Sequence, residues 1–125
     1  MKVFIVEDAA QTRQDLVELV AGLPGFNVVG QAGSVQEAID GIDRTAPEAV
    51  TLDISLPDGS GVEVLRHIRR LRADIFVVVL TANSYESLCT TCRRLGPAAV
   101  LDKFNGLAQA AEVLLAGRQP NPESC

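Results

Sequence analysis

The sequence predicts an α/β fold, a doubly wound sheet of five mostly parallel strands covered on both faces by five helices, and three observations carry that expectation. Short apolar, β-rich runs recur five times along the 125 residues. Segments of helical periodicity separate them, and the joins are short and punctuated by Gly, Pro and capping residues. Strict alternation of the two element types calls for right-handed crossovers, which set the strands parallel and bury both faces of the sheet.

The strands are expected at Lys2 to Val6, Phe26 to Gln31, Ala49 to Leu52, Ile75 to Leu80 and Ala98 to Leu101. Between them, Val35, Ala38, Ile39 and Ile42, then Val64 or Leu65, Ile68 and Leu71, recur at helical spacing. Ser34-Val-Gln-Glu37, Ser60-Gly-Val-Glu63 and Asn83-Ser-Tyr-Glu86 each place a capping side chain three residues before a carboxylate, so three helices start there. Gly22-Leu-Pro24, Pro47 and Gly96-Pro97 mark stops, and a last helix runs from Asn105 and fades at Gly117. Residues 1–118 are expected to form one domain, and 119–125, which hold Pro120-Asn-Pro122, a tail or the start of a linker.

Composition narrows the function. With 47% apolar and 22% charged residues the chain resembles a folded globular protein, not a disordered one. A net charge of -5 opposes direct nucleic-acid binding, whose affinity comes mainly from Lys and Arg on phosphates. The apolar start is cut short by Glu7 and Asp8, too soon for a signal peptide or a membrane span, so a cytoplasmic protein is expected. Cys89, Cys92 and Cys125 give no even framework. Cys92 falls in register with Leu88 and Leu95, so Cys89-Thr-Thr-Cys92 reads as helix packing rather than redox chemistry, and two thiols with the lone His67 fall short of a zinc site.

In a sheet of this kind ligands bind at the carboxyl ends of the strands, near the switch point. The residues there are Glu7-Asp8, Asp53, Thr81 and Asp102-Lys103. Carboxylates converging on one crevice repel one another unless a divalent cation compensates, and oxygen-only ligands suit Mg²⁺. A hydroxyl at Thr81 and an ammonium at Lys103 suit the oxygens of a transferring phosphoryl group, with Asp53 as nucleophile. Each residue alone has an ordinary reading: Asp8 a helix cap reciprocated by Gln11, Asp53 a turn, Thr81 the approach to the Asn83 cap, Lys103 a surface charge. Their joint placement, each at the end of its own strand, favours the site.

Val6-Glu7-Asp8 with Arg13, Asp53 with Pro57 and Gly61, Thr81-Ala82, and Asp102-Lys103 together resemble the receiver domains of bacterial response regulators, CheY-like modules of two-component signalling. The match runs from Lys2 to about Gly117. It implies a flavodoxin-like sheet in the order 2-1-3-4-5 and a phosphoacceptor at Asp53. Asp8 and Asp53 would bind Mg²⁺, Glu7 largely through water, with the backbone carbonyl of Ser55 completing the set. Thr81 and Lys103 would hold phosphoryl oxygens, and small Ala82 would leave access. Such proteins take the group from a phosphohistidine on a histidine kinase or phosphotransfer protein and promote their own dephosphorylation, so a timed switch is implied rather than a turnover enzyme. Ser55 and Asn83 stand where the family tunes that dephosphorylation.

Two positions depart from the family pattern. Val100 stands where an aromatic residue commonly turns inward on activation, so the resemblance does not carry that readout over. Phe104 replaces the proline that often follows the lysine, a variation resembling the subfamily that usually carries a helix-turn-helix output domain. The alternative is a pseudo-receiver, a binding module that signals without phosphorylation. A flavin binder of the same architecture is opposed by the charge of Glu7-Asp8, since its first loop must cradle a phosphate.

Two surfaces complete the reading. Leu107, Ala111 and Leu114 share one stripe of the last helix while Ala108 and Leu115 lie off it, which would serve a homodimer or a docking partner, or else cover the sheet edge. Arg66, Arg69, Arg70 and Arg72 read as a solvated helix face, and His67 among them is read as lacking an acidic or thiol partner in register, with no role in phosphorelay.

Overall fold

The computed structural model describes residues 1–71, 74–81, 98–102 and 106–116. Strands β1 (Lys2–Val6), β2 (Asn27–Ala32), β3 (Ala49–Asp53), β6 (Phe76–Thr81) and β7 (Ala98–Asp102) form one parallel sheet in the order β2-β1-β3-β6-β7. That is the expected 2-1-3-4-5 arrangement, because β4 (Ser55–Leu56) and β5 (Gly59–Ser60) pair only with each other in a small antiparallel hairpin. The helices among the described residues are α1 (Ala10–Ala21), α2 (Val35–Thr45), α3 (Gly61–Leu71) and α4 (Gly106–Leu115). The helix expected after Asn83, with Cys89 and Cys92 in it, and the tail with Cys125, lie outside the described residues.

Alternation along each strand splits the core in two. Phe4, Val6, Val50, Leu52, Val77, Val79 and Val100 meet Ala38 and Ile42 of α2 and Val64, Leu65 and Ile68 of α3. Val3, Ile5, Val78, Leu80 and Leu101 meet Leu16 and Val20 of α1 and Ala110 and Leu114 of α4. Every residue of β6 is buried, which explains its unbroken Phe-Val-Val-Val-Leu run: a central parallel strand has no solvent face. In α4 the inward stripe is Ala110 and Leu114, while Ala108 is exposed and Leu115 is 54% exposed. The expected stripe is met at Leu114 alone: Ala110 takes the inward place, Ala111 is half-buried, and the Leu107 side chain lies outside the described residues. Among the described residues no helix is long and apolar enough to cross a membrane.

Phe4 fixes how α2 sits. Its ring lies between the backbones of Gly30 on β2 and Gly41 on α2, where an added Cβ would come within 2.6 Å and 2.4 Å of ring atoms. Glycine in mid-helix weakens the helix, and here it makes room for an aromatic side chain.

The start of α2 is capped twice. Ser34 Oγ accepts from the Glu37 N–H, as the Ser34-to-Glu37 spacing predicts. A second cap comes from 22 and 23 residues away: Asp58, in the turn between β4 and β5, accepts from the N–H of Val35 at 2.7 Å and of Gln36 at 3.1 Å. These amides, Val35 first, hold the Asp58 pKa below its ordinary 3.8. At its other end α2 meets α3 through Asp43 Oδ1 and His67 Nε2, 2.7 Å apart. His67 therefore has an acidic partner after all, on the neighbouring helix instead of its own. Arg66 and Arg70 are exposed, as a solvated face requires, whereas Arg69 is half-buried with Nη1 donating to the Ile75 carbonyl, and Arg72 lies outside the described residues.

Two outcomes follow. Gly41→Ala should lose about 1–2 kcal/mol in urea unfolding although alanine favours a helix by about 1 kcal/mol, because the methyl drives into the Phe4 ring; combining it with Phe4→Leu should return part of that particular loss. For Asp58, folding lowers the pKa, so the unfolded chain binds the proton more readily and the stabilisation is complete above the ordinary value and fades as pH falls through the lowered one. Thermal melts of wild type and Asp58→Asn should therefore differ at neutral pH and converge only as pH falls below 3.8 and through the lowered Asp58 value.

Candidate functional site

The sheet order places the switch point between β1 and β3, since β1 has β2 on one side and β3 on the other. Asp53 is the last residue of β3 and pairs with Leu80, and Thr81, the last residue of β6, pairs with Asp102. The sequence ends these strands one residue early, at Leu52, Leu80 and Leu101, because it follows apolarity. Ladder hydrogen bonds run through the backbone and continue past the first polar side chain.

Asp53 is 3% exposed and Thr81 5%. The carboxylate of Asp53 is held on both oxygens: Ser55 N–H donates to Oδ1 at 3.1 Å, and the Asp8 N–H makes a long 3.5 Å contact with Oδ2. Ser55 itself is exposed, at the start of the small hairpin. That hairpin is closed by Gly61 N–H donating to the Ile54 carbonyl at 2.8 Å, and a Cβ on Gly61 would lie 2.3 Å from the Asp53 carbonyl oxygen. The Pro57 to Gly61 stretch thus turns tightly against the acceptor strand, as its composition predicts.

On the β1 side, Glu7 is fully buried and its Oε2 accepts from the Ala9 N–H at 3.0 Å, whereas Asp8 is exposed. Helix α1 has Ala9 at its cap and no side-chain cap, and Gln11 instead donates to Asp15. The reading of Asp8 as a cap reciprocated by Gln11 is therefore not met. Arg13 reaches back from α1, and its Nη1 donates to the carbonyl of Glu7 at 2.8 Å and lies 3.4 Å from that of Asp8. Gly33 leaves the space: a Cβ there would be 2.9 Å from that same nitrogen. The sequence marks Arg13 only as part of a motif, and its role in tying down the acidic loop becomes visible through this contact.

Among the described residues no three Asp, Glu, His or Cys side chains gather as a metal cluster. The expected convergence of three carboxylates is narrower than the strand ends suggest, with Glu7 buried and engaged by the backbone. Mg²⁺ does not need three, since it is commonly held by one or two carboxylates and keeps several waters. Asp8, exposed at the mouth, and Asp53, adjoining it through the Asp8 backbone, fit such a cation. Lys103 and Ala82 lie outside the described residues, and of Asp102 only the backbone is described.

Comparison with known proteins agrees with this fold. The family model described as the response regulator receiver domain matches residues 3–114. The chain is 35% identical over 121 residues to the DNA-binding transcriptional activator DevR/DosR of Mycobacterium tuberculosis, covering 94% of this chain and 56% of that protein. It is 31% identical to the response regulator GacA of Pseudomonas syringae pv. syringae, covering 95% and 57%. The chain thus spans little more than half the length of these relatives. Among solved structures it superposes on a LuxR-family two-component response regulator from Aurantimonas sp. SI85-9A1 with a TM-score of 0.82 at 26% identity, covering 98% of this chain and 91% of that one. Matched over most of its length by that family model, the chain belongs to the response regulator receiver domain family.

Proposed function

We propose that the protein is a phosphoacceptor of a two-component system, taking a phosphoryl group onto Asp53 from a histidine kinase or phosphotransfer protein. The observation that carries this reading is the setting of Asp53: a nearly enclosed carboxylate at the end of a central strand, gripped by backbone N–H groups and one strand away from the Thr81 hydroxyl. Membership of the family supports it.

In this reading a carboxylate oxygen of Asp53 attacks the phosphorus of the phosphohistidine. The new O–P bond forms as the P–N bond breaks, and the imidazole leaves with the electron pair and regains a proton from solvent. Attack by water on the acyl phosphate later returns the carboxylate and releases phosphate, so the chain promotes only its own modification and its reversal. Thr81 and Lys103 bind the phosphoryl oxygens. Asp8, Asp53, the Ser55 carbonyl and, through water, Glu7 would hold Mg²⁺, which when bound offsets the charge gathering on those oxygens. Arg13 fixes the backbone from which the Glu7 and Asp8 side chains project.

Residues 1–118 form the receiver in this scheme and 119–125 its tail or linker, and the protein works in the cytoplasm. The response leaves through protein contacts, without direct DNA binding by this domain, in keeping with its charge of -5. A homodimer through the last helix would use Leu115, which stands exposed on α4.

Wild-type protein incubated with Mg²⁺ and acetyl phosphate should gain the mass of one phosphoryl group. Asp53→Asn should gain none, and a chelator should abolish the gain in wild type. An unmodified wild type under these conditions would leave the phosphorylation-independent pseudo-receiver as the reading to pursue. Arg13→Met should weaken Mg²⁺ binding by about tenfold, the loss typical of removing a group that orients metal ligands, as read from amide chemical-shift titration.

A further inference from the structure

The hairpin that follows Asp53 has two ends, and each is a carboxylate bound to backbone amides. At its base, Ser55 N–H donates to Asp53 Oδ1. At its tip, Asp58 holds the first two amides of α2. Little slack separates them. Ser55–Leu56 pairs with Gly59–Ser60, Gly61 N–H closes the loop onto Ile54, and the Gly61 backbone abuts the Asp53 carbonyl. Pro57, with its backbone angle locked, begins the turn. A short arm closed in this way passes a displacement at one end to the other in place of absorbing it.

We propose that Asp58 is a positioning residue that couples the Asp53 carboxylate to the N-terminus of α2, so that the chemistry at the acceptor and the order of α2 bias each other. Reciprocity is required: whatever steadies the hairpin on the acceptor side steadies the first turn of α2, and loosening that turn loosens the hairpin. The exposed start of α2, with Gln36 and Glu37 on the surface, thereby becomes a place where the state of Asp53 is read. Asp58 touches neither the acceptor nor a phosphoryl group. It acts through Ser55 and the hairpin backbone.

Two caps on one helix supply the control. Ser34 steadies α2 with no bond to the hairpin, while Asp58 does so from the hairpin itself. Amide hydrogen exchange is read by NMR on the full chain, without ligand, for wild type, Asp58→Ala and Ser34→Ala. Both variants should speed exchange in the first turn of α2 by about fivefold, the scale of one lost hydrogen bond. Only Asp58→Ala should also speed exchange at the Ser55 amide, and Asp58→Asn, which keeps one acceptor oxygen, should do so more weakly and serves if the alanine variant does not fold. A Ser55 amide unchanged in both Asp58 variants, or equally disturbed by Ser34→Ala, overturns the coupling.

A second arm rests on the phosphoacceptor reading above and uses Mg²⁺ with beryllofluoride. Exchange should slow at Ser55, Val35 and Gln36 in wild type, but at Ser55 alone in Asp58→Ala. Slowing at Ser55 with Val35 and Gln36 untouched in wild type overturns the coupling. No response at Ser55 in either protein overturns the phosphoacceptor reading instead, and the ligand-free comparison then decides the coupling on its own.

Discussion

The acceptor strand and the helix that follows it meet backbone to backbone. At Gly61 a Cβ would stand 2.3 Å from the Asp53 carbonyl oxygen and 3.0 Å from the Ile54 Cα, and neither neighbour can rotate aside. Only glycine allows α3 to begin there. Because it does, seven residues suffice to leave β3, form the hairpin and enter the helix, and Val64, Leu65 and Ile68 land on the sheet beside Val50 and Leu52. Moving that start outward would open the hairpin, free the Ser55 amide from Asp53 and withdraw Asp58 from α2. One close approach therefore underlies the acceptor geometry, the third helix and the second cap.

Enclosing carboxylates opposes folding, since removing an ionised group from water costs several kcal/mol per charge even after relaxation. The structure offsets this with backbone dipoles: Ala9 N–H on Glu7, and Ser55 N–H on Asp53. Charge-assisted bonds of this kind are stronger than neutral ones. Arg13 adds a positive charge on the carbonyl side of the same loop, and the β2–α2 connection touches it at Gly33. That connection leads directly into the turn of α2 held by Asp58. Both halves of the acidic site, the β1 loop and the β3 hairpin, thus lean on one short segment, Gly33 to Gln36. The apolar sheet beneath carries what remains of the cost, each wholly buried aliphatic side chain contributing about 1.5–3 kcal/mol.

Much of this was legible in the chain because it is written locally. Apolar runs marked the five strands, the Ser34 and Ser60 patterns marked two helix starts, and the polar residues closing the strands marked the crevice. Errors arose where a side chain is a poor guide to the backbone: three strands continue through Asp53, Thr81 and Asp102, since pairing does not stop at polarity. Tertiary partners were invisible for a different reason. Asp58 caps a helix 22 residues upstream, Asp43 meets His67 across 24 residues, and Phe4 selects glycine at both Gly30 and Gly41. No window of sequence holds both members of these pairs. The Pro57-Asp58-Gly59 turn did carry a signal, because an aspartate at a hairpin tip has a free side chain to spend on a neighbour, but its direction was set only by the sheet order that brings α2 alongside.

Val100 shows how a core residue constrains the rest. Its side chain is fully buried on the α2 and α3 face of the sheet, in the cluster that holds Val79, Leu52 and Leu65. A β-branched aliphatic has one stiff rotatable bond, and this one is enclosed in the core. Its small side chain lies wholly within the sheet interior, and close packing makes that interior a poor place for any graded shift. Motion is cheaper where contacts are polar, few and near solvent, because breaking them exchanges one hydrogen bond for another with water. By that criterion the Ser55 amide and Asp58 at the end of the hairpin are adjustable contacts among the described residues, and the coupling proposed between Asp53 and α2 runs through them, away from the packed strand that carries Val100.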